Sequence, residues 1–184
     1  MKTLLSTLIF SILGLNIIFA QEKPNFDDPK VQDQFIATAV KKLDWRKKAD
    51  KTFLHYLPYS QVPYSGRHVE FYDNGQLKFA NVLKDGRNEG LCVSWYLSGQ
   101  KRSEINFKDG KKDGFENAWW ENGQKKMERN VKDNKLVSLT RWKPNGEKCP
   151  ITNIVDGNGV SVYYNDDGTE LFRNTWKDGE IVVD

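Results

Sequence analysis

From residue 64 onward, apolar and polar side chains alternate with the two-residue period of β-strands, broken at regular intervals by Gly, Asn and Asp. Glycines at 75, 99, 123, 146 and 168 each follow Asn, Ser or Asp, and spacings of 24, 24, 23 and 22 residues mark five tandem units. Eleven residues after each comes a second turn signal: Asp85-Gly86, Asp109-Gly110, Asp133-Asn134, Asp156-Gly157 and Asp178-Gly179. Gly and Asn tolerate positive φ, so both series mark tight turns. A third series, Gly66, Gly90, Gly114 and Gly159, precedes the first by nine residues, with Val137 in its place in the fourth unit.

Positions are counted here from the first-series glycine. Position −4 is aromatic in every unit (Phe71, Trp95, Trp119, Trp142, Tyr164), and −6 carries Val69, Val93 and Val162. On the returning segment, +8 is apolar throughout (Leu83, Phe107, Val131, Ile154, Trp176), and +4 holds Phe79, Met127, Pro150 and Phe172. Read as strands joined by two-residue turns, these columns form one apolar face, with Lys78, Arg102 and Lys126 at +3 on the other. The expected fold is mainly β: an elongated antiparallel meander of about five tandem β-hairpins. Its units run about 64–89, 90–113, 114–137, 138–158 and 159–184. A single hairpin is marginal alone, so neighbouring units must stabilise one another.

The segment before the repeats differs. Residues 1–20 start with Lys2, continue with a mostly apolar run from Leu4 to Phe19 and end at Ala20, the pattern of a signal peptide cleaved near Ala20. A retained membrane anchor is the alternative, although Ser6, Thr7, Ser11 and Asn16 interrupt the run. Residues 21–63 form a lead-in and tether. Asp28 and Pro29 are helix-start residues, and Val31, Phe35, Ala39 and Leu43, flanked by Ile36 and Val40, predict one amphipathic helix over 28–50. It serves to cover the array, or to bind a partner. The segment from Thr52 to Tyr64 reads as a short strand and tether.

The runs Phe71-Tyr72-Asp73-Asn74-Gly75-Gln76-Leu77-Lys78, Trp95-Tyr96-Leu97-Ser98-Gly99-Gln100-Lys101 and Trp119-Trp120-Glu121-Asn122-Gly123-Gln124-Lys125 resemble the MORN-variant repeat of bacterial proteins, including the YwqK-family antitoxins. The resemblance spans roughly residues 64–184 and implies a repeat architecture that binds other molecules. It also implies an antitoxin-like or immunity-like role. Pro144, Val137 and Asp133-Asn134 depart from the pattern in the third and fourth units.

Composition adds limits. Six Trp and 12% aromatic residues indicate a chain that folds. The net charge is +3, and loss of Lys2 with a leader lowers it to +2, with both signs interleaved, so no nucleic-acid partner is implied and a membrane surface has little electrostatic pull. The two histidines, His55 and His68, stand in no metal or nucleophile spacing, and most Asp residues occupy turns, so neither a catalytic site nor a cofactor is expected. Cys92 and Cys149 fall in the second and fourth units, too far apart across the strands for a disulfide.

Tyr72, Tyr96 and Trp120, at −3, point away from the expected core. With Lys78, Arg102 and Lys126 they form the candidate binding surface, an aromatic and basic strip, against the plainer reading of a solvated face. The expectation is therefore an exported, non-enzymatic repeat protein, periplasmic or extracellular, acting as a protein-interaction module or envelope scaffold. Binding to membrane lipid or cell-wall material is the alternative. Neither the partner's identity nor the oligomeric state follows from the residues.

Overall fold

The computed structural model describes residues 25–47 and 53–182; the expected signal segment and the cleavage point near Ala20 lie outside them. One helix, α1 (Pro29–Ala37), is followed by a two-stranded sheet of β1 (Asp44–Lys47) and β2 (Phe53–Tyr56). An eleven-stranded antiparallel sheet then runs in strict chain order. Its strands are β3 (Gly66–Phe71), β4 (Leu77–Lys84), β5 (Arg87–Trp95), β6 (Lys101–Lys108), β7 (Lys111–Trp119) and β8 (Lys125–Lys132). After these come β9 (Lys135–Arg141), β10 (Asn153–Val155), β11 (Asn158–Tyr164), β12 (Glu170–Lys177) and β13 (Glu180–Ile181). The meander of hairpins is the expected fold.

The two turn series are different turns. The Asp-Gly pairs are two-residue turns with both residues at positive φ, 50° and 76° at Asp85 and Gly86, as type I′ requires. Asp133-Asn134 takes the same form, at 48° and 69°. The first-series turns are longer than the two residues expected. Tyr72 N donates to Gln76 O and Gly75 N to Tyr72 O, which leaves a three-residue loop with Gly75 at φ 84°. The Asn74 side chain accepts from Gln76 N at 3.0 Å and holds the loop shut.

After the loops of the first, second, third and fifth units the register slips. Glu70 faces Phe79 while Phe71 faces Leu77, so Lys78 is an extra residue on β4. Arg102, Lys126 and Leu171 are the corresponding extras on β6, β8 and β12. These bulges correct the single apolar face expected above. Val69 pairs with Ala80, and Gly66 with Leu83, three residues away and therefore on the opposite side. Positions −4 and −6 lie on one face, and +4 and +8 on the other.

The apolar core accordingly changes sides along the array. On the first face a lateral row runs Val69, Ala80, Val93, Glu104, Asn117, Glu128 and Thr140, apolar for three strands and polar for four. The helix covers the apolar part: Phe35, Ile36 and Phe26 pack on Val69, Ala80, Val93 and Trp95, with Phe26 edge-on to Trp95 at 5.7 Å. On the second face, Met127, Val131, Leu136, Leu139 and Ile154 form a separate cluster in the later units.

The helix is shorter than the 28–50 expected. Asp28 caps it by accepting from Lys30 N, Pro29 begins it, and it stops at Ala37. Val40 then bridges the outer edge of β3, donating from its N to Arg67 O and accepting from Val69 N. Occupying that open edge satisfies backbone groups that a continued helix would leave exposed on β3. Asp44–Lys47, expected to be helical, pairs instead with Phe53–Tyr56.

Neighbouring hairpins are latched at the type I′ end along the array and at the opposite end from the first three units. At the type I′ end, Gly86 N donates to Tyr64 O, Gly110 N to Asn88 O, Asn134 N to Lys112 O, Gly157 N to Val137 O and Gly179 N to Gly157 O. At the opposite end, Tyr72 Oη donates to Trp95 O at 2.8 Å, Tyr96 Oη to Trp119 O at 2.9 Å and Trp120 Nε1 to Trp142 O at 3.2 Å.

Phe35 is buried beneath this first cluster, so Phe35→Ala is expected to destabilise the protein by about 3 kcal/mol or more. Exposed Val155→Ala should stay within about 0.5 kcal/mol. Chemical denaturation of both variants checks the location of the core.

Candidate functional site

The lateral register builds a trough on the face opposite the helix. Across seven strands the facing residues are Glu70, Phe79, Ser94, Ser103, Ala118, Met127 and Arg141. The three small residues in the middle form a floor, where Ser94 Oγ and Ser103 Oγ lie 2.7 Å apart. Phe79 walls one side. A cavity of about 280 Å³ opens at the β3–β6 end of this row, lined by Glu70, Tyr72, Lys78, Phe79, Ser94 and Arg102, among others; Lys126 and Arg141 lie outside it.

The bulges aim cations along this trough. Each extra residue leaves the regular alternation and folds back over the ring at −3 of its own unit. Lys78 Nζ lies 5.8 Å from the Tyr72 ring centre, Arg102 Cζ 5.7 Å from Tyr96 and Lys126 Nζ 3.7 Å from Trp120. Each contact is a cation–π pair, so the six candidate residues form three repeated ring and cation units. The rings are less exposed than expected. Trp120 is only 4% accessible, and Tyr72 and Tyr96 are half-buried, because all three also donate the interunit hydrogen bonds.

The sequence pattern missed a fourth pair. Arg141, 7% accessible, lies over the Tyr163 ring with Cζ 3.7 Å from its centre. Tyr163 is itself stacked on Phe172 at 4.2 Å. Arg141 is at −5, a position occupied by Glu70, Ser94, Ala118 and Tyr163 in the other units, so no column announced it.

Electrostatically the row is unbalanced. Lys78 has Glu70 3.8 Å away, and Arg129 and Lys112 share Glu116. Among the described residues, Arg102, Lys126 and Arg141 have no carboxylate within ion-pairing distance, and Arg141 Nε is buried without a hydrogen-bond partner. Burial lowers the pKa of both Lys126 and Arg141. Asp166 partly offsets this at Lys126, whereas Arg141 and Arg102 add to it; at Arg141, Tyr163 offsets it and Arg129 adds to it.

Beyond the trough lies a buried polar group. His68 Nδ1 donates to Asn81 Oδ1 at 3.0 Å, and Asn81 Nδ2 donates to Asn88 Oδ1. Cys92 is in the neighbouring strand. Burial pushes its thiol up to about 12, which leaves no thiolate for nucleophilic chemistry at neutral pH. Cys149 is also buried, and neither cysteine is in a disulfide. Among the described residues no three His, Cys, Asp or Glu side chains gather as a metal site, and no helix is long and apolar enough to cross a membrane.

The MORN repeat variant family profile matches residues 88–109, the hairpin of β5 and β6 that contributes Ser94, Arg102 and Ser103 to the trough. No curated protein and no solved structure matches the chain. The array thus contains a MORN-variant repeat, of a kind consistent with protein or membrane binding.

Burial is the leading influence on His68 and lowers its pKa, so the native state disfavours the imidazolium relative to the unfolded chain. Its contribution to stability is complete above the unfolded pKa of about 6.5 and is lost as pH falls below that value. Unfolding midpoints should therefore drop between pH 7.5 and 5.5, and His68→Gln should show a smaller drop over the same range.

Proposed function

We propose that this chain is a non-enzymatic interaction module that engages a protein partner along the trough face. The carrying observation is the row of ring-backed cations, three of them without a carboxylate, beside a floor of small side chains. A sheet face closed to partners gains nothing from a buried Arg141 without an anion beside half-buried Lys126 and exposed Arg102. The alternation of aromatic anchors with basic side chains, with a cavity at the β3–β6 end, is the composition of a binding surface. The hairpins suit that task because only position +3 and its neighbours need change while the latches remain.

The apolar N-terminal run and Ala20 support export, with the mature chain beginning near Gln21, and an immunity or envelope-scaffold role accords with an exported binder. Mass measurement of the protein recovered outside the cytoplasm tests the export. Membrane or cell-wall binding is less favoured, since the net charge of +3 is small and acidic residues interleave with basic ones.

Pull-down from the envelope fraction, comparing the wild type with an Arg102→Gln/Lys126→Gln double variant of unchanged circular dichroism, tests the surface. Recovery of a specific protein should fall about tenfold or more in the variant. Lys125 sits across the sheet on the other face, paired with Glu128, and Lys125→Gln should leave recovery intact. Equal recovery by all three proteins would refute this surface.

A further inference from the structure

The three cations without a carboxylate point to the chemistry of what occupies the trough. Arg102 belongs to β6, Lys126 to β8 and Arg141 to β9, each supported by a ring from Tyr96, Trp120 or Tyr163. Arg141 is nine-tenths buried, and its Nε has no partner. Burying the Arg141 cation without an anion is costly, and half-buried Lys126 and exposed Arg102 add like charge to the same row. A bound carboxylate removes both costs.

The spacing narrows the choice further. The ring and cation pair recurs once per hairpin, every two strands, or about 9.6 Å at roughly 4.8 Å per strand. A polyproline II segment advances about 9.3 Å in one turn of three residues, so every third side chain points the same way. An α-helix repeats every ~5.4 Å and does not match. Aromatic rings, half-buried at Tyr72, Tyr96 and Tyr163, beside a shallow groove are also the kind of surface that receives extended, proline-rich chains.

We propose that the trough binds an extended acidic segment of a protein partner, running across the strands with a carboxylate at about every third residue. Successive carboxylates meet Arg102 and Lys126, and the segment's end reaches Arg141. The proposal rests on the interaction-module reading above and gives that module's partner a chemistry. No bond is made or broken.

The test uses the full chain and a fluorescent peptide of about four Glu-Pro-Pro repeats, read by anisotropy at low and physiological salt. The comparison probes are a peptide of the same composition with its Glu residues consecutive, a Gln-Pro-Pro peptide, and vesicles containing phosphatidylserine. The spaced acidic peptide should bind best, weaken with salt, and lose about tenfold or more in affinity in Arg102→Gln/Lys126→Gln. Lys126→Arg, which keeps the charge, should retain most of the binding. Equal affinity for the consecutive-Glu peptide would overturn the spacing. Binding to the vesicles with none to any peptide would overturn the acidic-segment assignment in favour of a lipid surface. If a captured protein partner depends on Arg102 and Lys126 while every peptide fails to bind, the acidic segment is wrong and the interaction module stands.

Discussion

The structure depends on one constraint: each hairpin must return in a register that lets it hydrogen-bond to its neighbour, at both ends in the first three units and at the type I′ end in the later ones. At one end the requirement falls on backbone geometry, because only residues that accept positive φ can make a type I′ turn. At the other it falls on the side chain at −3, whose polar tip must reach the carbonyl of the next −4 residue. Tyr72, Tyr96 and Trp120 meet that requirement with an aromatic body and a single donor. These residues therefore act twice, as interunit latches and as the floors on which Lys78, Arg102 and Lys126 lie.

The bulge connects the fold to the candidate surface. An uninterrupted antiparallel hairpin would send each +3 side chain out at right angles to the sheet. The extra residue bends it back over its own ring, so a basic side chain gains an aromatic support and a fixed direction. In the last unit the same site holds Leu171 and in the fourth Cys149, and there the row is continued by Arg141 over Tyr163 instead. The trough is thus assembled from repeated parts, but its deepest cation comes from the irregular region.

Much of this was legible in the residues. The period, the positive-φ turns, the order of the hairpins and the separation of the two cysteines follow from Gly, Asn and Asp placed at fixed intervals. The assignment of faces did not, because a bulge adds one residue without any compositional mark, and Leu83 looks as suited to the face of Val69 as to its own. The helix end was hidden for a different reason: Val40 leaves the helix to occupy the edge of β3, a partner far away in sequence. The ring and cation pairs were legible in their columns, whereas Arg141 and the small residues Ser94, Ser103 and Ala118 took their place only once the lateral row was known.

That lateral row is the central claim, and a cross-strand disulfide tests it directly. Ser94 and Ser103 face each other with their hydroxyls 2.7 Å apart. Replacing both with Cys and oxidising the folded protein should close an intramolecular bond between them, mapped by peptide mass analysis, with the native circular dichroism retained. If that pair stays open while Ser94→Cys bonds instead to Cys in place of Arg102, the bulge is absent, the faces are exchanged and the trough does not exist.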